Sequence, residues 1–480
     1  KFLSLGVTIV VPTLAYALVL LIVLSWLFAG LTFFIDRYRV PVLVLLLIVG
    51  ITTTQSRASD YYYELVPQVP GTAAAPATVL NAPDQSSVIV VAANGGGIQS
   101  AAWTARVLTG LELQARKEFG PDYRGFGKSI RLVSSVSGGS VGAMYVLNGY
   151  SPDGLPADDE LARIVAQAET SSLDDVAWGI AYPDTVRTVL PFRIVSRILP
   201  IDRGRALEAA WNRDRTLGVP LSSWREDVRA GWRPAAVFNA TIADTGERLL
   251  FSTSGLNHLP FRGQLFEQAY PGKDVSVVTA ARLSATFPYV TPAARAQTSD
   301  DLPQFHVVDG GYYDNYGMAT LTEWLDQALN GSQGAIKKVL VLQIRGAPGG
   351  TDPIYRFEGD EQCPQRSDPR LTKGTRRGWF YQMYAPMSTL LNVRDTGQLA
   401  HNDVEFKLLQ QLWQQRGVQI ESAVFQYPGA NTPLSWHLTA EQKQDIERYW
   451  AAELAGCQQQ QSWATVKQFL QGVNQPVAGN

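Results

Sequence analysis

Two long uncharged runs open the chain and set its first 56 residues apart from the rest. Residues 2–35 carry no charge, Asp36, Arg37 and Arg39 interrupt, and residues 40–56 are uncharged again. The first run exceeds the ~20 residues that span a bilayer core, and the second is near the short limit of ~17. The pattern predicts a membrane anchor over residues 1–56, with two transmembrane helices joined by a tight polar turn. The competing reading is a signal peptide followed by a buried helix; an apolar signal region of only ~7–15 residues disfavours it. The two arginines of the turn tilt the expected orientation toward a cytoplasmic turn and an extracytoplasmic remainder, with Lys1 and Arg57 opposing that bias.

Beyond the anchor the periodicity changes. Pro67, Pro70, Gly71, an alanine run and Pro76 break any repeat, so residues 57–87 read as a Pro/Ala-rich linker. Residues 88–93 are a short continuous apolar run rich in β-branched residues, the mark of a buried parallel strand. Asn94-Gly95-Gly96-Gly97 comes next, then helical spacing over 98–119 that gathers Ala102, Val107, Leu108 and Leu111 on one face. A second buried strand over 130–136 stops at Ser137 and gives way to an apolar helix. This strand–helix–strand–helix order predicts a parallel sheet with right-handed crossovers. Residues 235–243 and 249–253 read as strands paired around the turn Asp244-Thr245-Gly246. Residues 280–288 read as a helix ended by Pro288, residues 305–308 as a strand leading into Asp309-Gly310-Gly311, and 338–344 as the last clear strand. The expected architecture is α/β, a mostly parallel central sheet flanked by helices. The core occupies residues 88–345, and residues 346–480 form a C-terminal helical extension packed on it.

Composition narrows the function. With 41 Lys and Arg against 43 Asp and Glu, a net charge of −2 offers no electrostatic case for nucleic acid. Two cysteines, Cys363 and Cys457, exclude a disulfide scaffold and a cysteine-rich metal site, while leaving one possible pair. The glycine loop is not a dinucleotide fingerprint, because the third glycine of that spacing would fall at Ser100.

The chemistry concentrates where strands end. A serine at a strand-to-helix elbow is how many hydrolases present a nucleophile. The literal G-x-S-x-G spacing centres on Ser140, in Gly138-Gly139-Ser140-Val141-Gly142. Geometry favours Ser137, which leaves the strand directly, with Gly138 and Gly139 behind it to make room for substrate. Asp309 also sits at the carboxyl end of a strand, the edge where open α/β sheets keep their ligands.

These separated motifs together resemble the patatin-like phospholipases. The family's glycine loop matches Asn94-Gly95-Gly96-Gly97-Ile98, and its elbow serine matches Ser137. Its Ser-Ala-x-x-Pro segment matches Ser284-Ala285-Thr286-Phe287-Pro288, and its Asp-Gly-Gly matches Asp309-Gly310-Gly311. Three positions depart: Ser135 stands where the family usually has glycine, Asn94 where it often has aspartate, and Gln99 where it often has arginine. The resemblance implies a three-layer α/β/α fold and a Ser–Asp dyad without histidine. Ser137 is then nucleophile, Asp309 base, and the backbone N–H groups of Gly95, Gly96, Gly97 and Gly138 the oxyanion hole, with no metal or cofactor. The implied substrates are membrane lipids with acyl esters. Two alternatives stand beside it. One is a Ser-His-Asp esterase using His401 or His437. The other is a catalytically inactive, membrane-bound lipid-binding or scaffolding protein.

Overall fold

The computed structural model describes residues 13–39, 41, 44–45, 48, 51, 60–81, 85–120, 125–185, 201–256, 263–287, 290–298, 302–347, 354–357, 362–367, 378–429, 434–457 and 462–474. Ten strands form one sheet: β1 Tyr61–Tyr63, β2 Ser87–Ala93, β3 Ile130–Val136, β4 Ala235–Ile242, β5 Arg248–Ser252, β6 Gly263–Leu265, β7 Ala294–Ala296, β8 His306–Asp309, β9 Lys338–Arg345 and β10 Gln419–Gln426. The order is β1-β7-β8-β4-β3-β2-β9-β10, with β5 attached to β4 and β6 to β5. The centre is parallel, from β4 through β3, β2 and β9 to β10. Strand β8 runs antiparallel against both β4 and β7.

Strand alternation builds the two faces. Along β2, Ile89, Val91 and Ala93 enter one core while Val88, Val90 and Ala92 enter the other, as the period of two requires. The first core is covered by α2 Gly97–Phe119, α3 Gly138–Asn148 and α5 Val277–Ser284, and the second by α6 Met318–Gly331 and part of α7 Trp379–Gln415. The fold is therefore a three-layer α/β/α sandwich over a mostly parallel sheet.

Several local expectations change. Tyr61–Tyr63, in the stretch read as a linker, pairs with β7, Val66–Pro67 pairs with Lys273–Asp274, and Ala74 bridges to Ser254. Sheet hydrogen bonding thus overrides the proline and glycine signals there. The helix expected to run to Pro288 ends at Ser284; Pro288 itself lies outside the described residues. The last third adds the strand β10 to the sheet's edge as well as α8 Ala440–Leu454 and α9 Ser462–Asn474. Cys363 and Cys457 form a disulfide.

The anchor also differs. Among the described residues one helix is long and apolar enough to cross a membrane, not two: α1 Thr13–Asp36, with a window over Ala15–Ile35 of mean hydropathy 2.6. Most of residues 40–56, read as a second span, lie outside the described residues. On α1 the side chains of Leu21, Ile22, Trp26, Phe33 and Phe34 are exposed. Its first turns meet the folded body where α4 Leu173–Gly179 continues into a π-helical turn, Ile180–Asp184; there the Tyr16 ring packs edge-on against Tyr182, centroids 5.9 Å apart.

Candidate active site

The site forms where β3 ends. A buried strand followed at once by α3 leaves one residue to turn the chain. That residue, Ser137, takes φ 51° and ψ −124°, a conformation costly for any residue with a Cβ and typical of sites that hold a group in place. Glycines make the turn possible. A Cβ on Gly138 would lie 1.9 Å from the carbonyl oxygen of Gly97, and one on Gly139 would lie 2.5 Å from that of Asn94. The glycine loop and the elbow are thus in backbone-to-backbone contact.

Ser137 and Asp309 meet. The Ser137 hydroxyl donates to Asp309 Oδ2 at 2.7 Å, and both side chains are buried. The other carboxylate oxygen, Oδ1, accepts the N–H of Gly311 at 2.8 Å, which fixes the plane of the carboxylate. Strand β8 brings Asp309 to this point by pairing with β4, Asp309 opposite Ala240.

The four glycines expected to supply N–H donors divide. Gly95 N–H is already engaged by the carbonyl of Asn315 at 2.8 Å. Its place is steric instead: a Cβ there would lie 2.2 Å from Asn315 Oδ1 and 3.0 Å from Ser137 Cβ. The N–H groups of Gly96, Gly97 and Gly138 have no acceptor among the described residues. Gly97 begins α2 and Gly138 begins α3, so two helix N-termini, each favouring negative charge, converge beside Ser137.

The departures from the family pattern find local explanations. Ser135 sits in regular strand register opposite Ala93 and Phe238 and has no positive φ. The left-handed strain falls on Ser137, so a Cβ at 135 is tolerated. The Ser135 hydroxyl accepts from Ser140 at 3.1 Å, and Ser140 shares a 2.8 Å hydrogen bond with Ser284. Ser140 is fully buried in this hydroxyl network, out of reach as a nucleophile. Asn94 Oδ1 accepts from Ser100 Oγ at 2.9 Å and from Gly346 N–H at 2.7 Å, a job an amide oxygen performs as well as a carboxylate. Gln99 is fully buried at the start of α2.

None of the described histidines touches the pair. His437 Nδ1 is 3.0 Å from Ser171 Oγ, His401 lies exposed on α7, and His306 is half-buried between Asp60 and Asp244, 3.6 and 3.7 Å away.

Three residues that sequence reasoning did not assign to the site also belong to it. Ser284 Oγ accepts the backbone N–H of Ser137 at 3.2 Å and donates to the carbonyl of Asn239 at 2.5 Å. Asn239 donates to Ser134 Oγ and to the Ser135 carbonyl, and accepts from Thr320 at 2.6 Å. Gln398 on α7 bonds the loop after Asp309. Only Ser284 carried a signal, within the Ser-Ala-x-x-Pro segment; the others depend on contacts across more than eighty residues.

Residues 92–322 match the family model of patatin-like phospholipase. The matched stretch runs from β2 into α6 and holds both Ser137 and Asp309. No curated protein matches the chain. Among solved structures, a human GIVD cytosolic phospholipase A2 is similar at 12% identity and TM-score 0.36, covering 82% of this chain and 64% of its own. The same enzyme in complex with methyl gamma-linolenyl fluorophosphonate and terbium chloride gives 13% and 0.40, covering 82% and 61%. The ExoU–SpcU complex of the Pseudomonas aeruginosa type III secretion system gives 17% and 0.20, covering 43% and 37%. At TM-scores this low the likenesses do not bear on the chemistry, and the chain spans under two thirds of the length of the human phospholipase.

Proposed function

We propose that this protein is a membrane-anchored serine acyl hydrolase that cleaves acyl esters of lipids, phospholipids among them, through a Ser137–Asp309 dyad. The patatin-like domain gives the reaction class. The observation that carries the residue assignment is the 2.7 Å hydrogen bond from Ser137 Oγ to Asp309 Oδ2 at an elbow of positive φ. Asp309 takes the hydroxyl proton as Ser137 Oγ attacks the ester carbonyl. The oxyanion forms beside the N–H groups of Gly96, Gly97 and Gly138, where each donor is worth about 2.7–4 kcal/mol of barrier. Collapse breaks the acyl–oxygen bond, and Asp309 returns the proton to the leaving alcohol. Water, deprotonated by Asp309, then attacks the acyl-enzyme, the acyl–Oγ bond breaks to free the fatty acid, and Asp309 returns the proton to Ser137 Oγ. This scheme routes no step through a metal or cofactor.

The anchor in this reading is α1, an apolar helix long enough to cross a bilayer. Tyr16 and Asp60 both lie against the folded body, through Tyr182 and Arg295 respectively. A straight helix from Tyr16 puts Arg37 and Arg39 about 30 Å away, at ~1.5 Å per residue. The Cys363–Cys457 disulfide suits an oxidising compartment, which supports a catalytic domain outside the cytoplasm.

The test is hydrolysis of phospholipid vesicles by wild type, Ser137→Ala and Ser140→Ala. We expect release of fatty acid by wild type, none by Ser137→Ala, and retained though weakened activity in Ser140→Ala. Fatty acid release by Ser137→Ala would overturn the assignment.

A further inference from the structure

Helix α7 lies outside the segment that matches the family model, yet it holds the loop on which the dyad depends. The Gln398 amide nitrogen donates to the carbonyl of Tyr313 at 2.8 Å and lies 3.3 Å from those of Gly311 and Tyr312. Its amide oxygen accepts the N–H of Asn315 at 2.9 Å. One helical turn on, Asn402 donates to Asp314 Oδ1 at 2.9 Å. Asp314 in turn accepts the N–H groups of Tyr316 and Ala319, both at 2.9 Å, and so caps the start of α6.

The residues that Gln398 grips are those that touch the chemistry. Gly311 N–H orients the Asp309 carboxylate, and the Asn315 carbonyl holds Gly95 N–H at the head of the glycine loop. The Asn315 side chain fills the space against both Gly95 and Gly311 that a Cβ would need, 2.2 and 2.7 Å from the two Cβ positions. A single amide on α7 is therefore linked, through one residue each, to the base and the glycine loop. Gly310–Tyr312 forms a 3-10 turn, and the Gln398 amide supplies a donor to the carbonyl groups of Gly311, Tyr312 and Tyr313.

We infer that Gln398 is a positioning residue for catalysis, with Asn402 as its support: α7 sets the spacing between Asp309 and the glycine loop. This inference rests on the acyl-hydrolase reading above. A loop displaced by a fraction of an ångström slows attack without weakening lipid binding, so the effect belongs in the rate and not in the affinity.

The experiment tracks inactivation of the full chain by an alkyl fluorophosphonate, separating the limiting rate from the probe's half-saturating concentration. The variants are Gln398→Met, similar in length and unable to hydrogen bond, and Gln410→Ala. Gln410 lies on the same helix and donates to the Ile420 carbonyl at 2.9 Å, at the other end of the layer. Thermal melting of both variants gives the purely structural cost. We expect Gln398→Met to lower the limiting rate about 10- to 100-fold with half-saturation within about twofold, while Gln410→Ala, with a similar loss in melting temperature, keeps the wild-type rate. An unchanged rate in Gln398→Met, or equal slowing in both variants, would overturn the inference alone. Failure of wild type to react at all would overturn the acyl-hydrolase reading itself.

Discussion

Ser137 is held from both sides, by its hydroxyl on Asp309 and by its backbone N–H on Ser284 Oγ. The second contact stabilises a backbone that strain would otherwise relax. Replacing Ser284 with alanine removes its hydrogen bonds with the Ser137 N–H, the Asn239 carbonyl and Ser140; the one on the Ser137 N–H, worth about 1 ± 0.5 kcal/mol, bears on the rate. We expect kcat on a lipid ester to fall about tenfold, at ~1.4 kcal/mol per factor of ten, with KM little changed; a steady-state comparison of Ser284→Ala with wild type checks it. At this scale much was legible from sequence. Ser137 and Asp309 each follow at once on a segment that reads as a strand, and the glycines flag places where no Cβ fits. Two things were not legible. The Gly95 N–H is taken by Asn315, more than two hundred residues away, and no local spacing reveals such a partner. The departure at Ser135 looked sterically costly only because the register of β3 was unknown; the positive φ falls two residues later.

Individual elements explain what the pattern could and could not supply. The central strands read clearly because both their faces are buried, which forces continuous apolar runs. Short strands did not: Tyr61–Tyr63 is three residues long and is held by pairing with β7, so its local sequence says little. The last two helices bury one carboxyl between them beside their apolar contacts. Glu453 on α8 accepts the N–H groups of Ser462 and Trp463 at the start of α9, and burial outweighs these bonds and pushes its carboxyl up from 4.5 to about 7. The folded state thus binds this proton more tightly than the unfolded chain. The resulting stabilisation is complete below about pH 4.5, declines as pH rises, and is gone above about pH 7. Glu453→Gln should remove this slope, leaving the variant more stable than wild type at pH 8 and less advantaged at pH 5, by up to about 3 kcal/mol across the window. Denaturant melts at several pH values measure it; parallel profiles for the two proteins would refute it.

For the whole molecule, the apolar helix α1 and the disulfide bear on one part of the proposal, a domain held outside the cytoplasm. The sequence carried the apolar run of α1 plainly, since lipid demands an unbroken stretch without charge. It left the pairing of Cys363 with Cys457 open, because 94 residues separate them and only the packing of the last third brings their Cα atoms to 5.3 Å. If the domain is extracytoplasmic, both thiols should resist a maleimide added to freshly isolated membranes and react after reduction. Full labelling without a reductant would put the domain on the cytoplasmic side. Closing a loop of this length typically contributes about 2–4 kcal/mol, so reduction should also lower the melting temperature.

The central claim, that Ser137 attacks with Asp309 as its only protein base, is tested most directly by mapping where an alkyl fluorophosphonate attaches. Peptide masses should put the adduct on Ser137 in wild type and equally in His401→Ala and His437→Ala, with Asp309→Asn unreactive. An adduct on Ser140, or loss of labelling in either histidine variant, would contradict it.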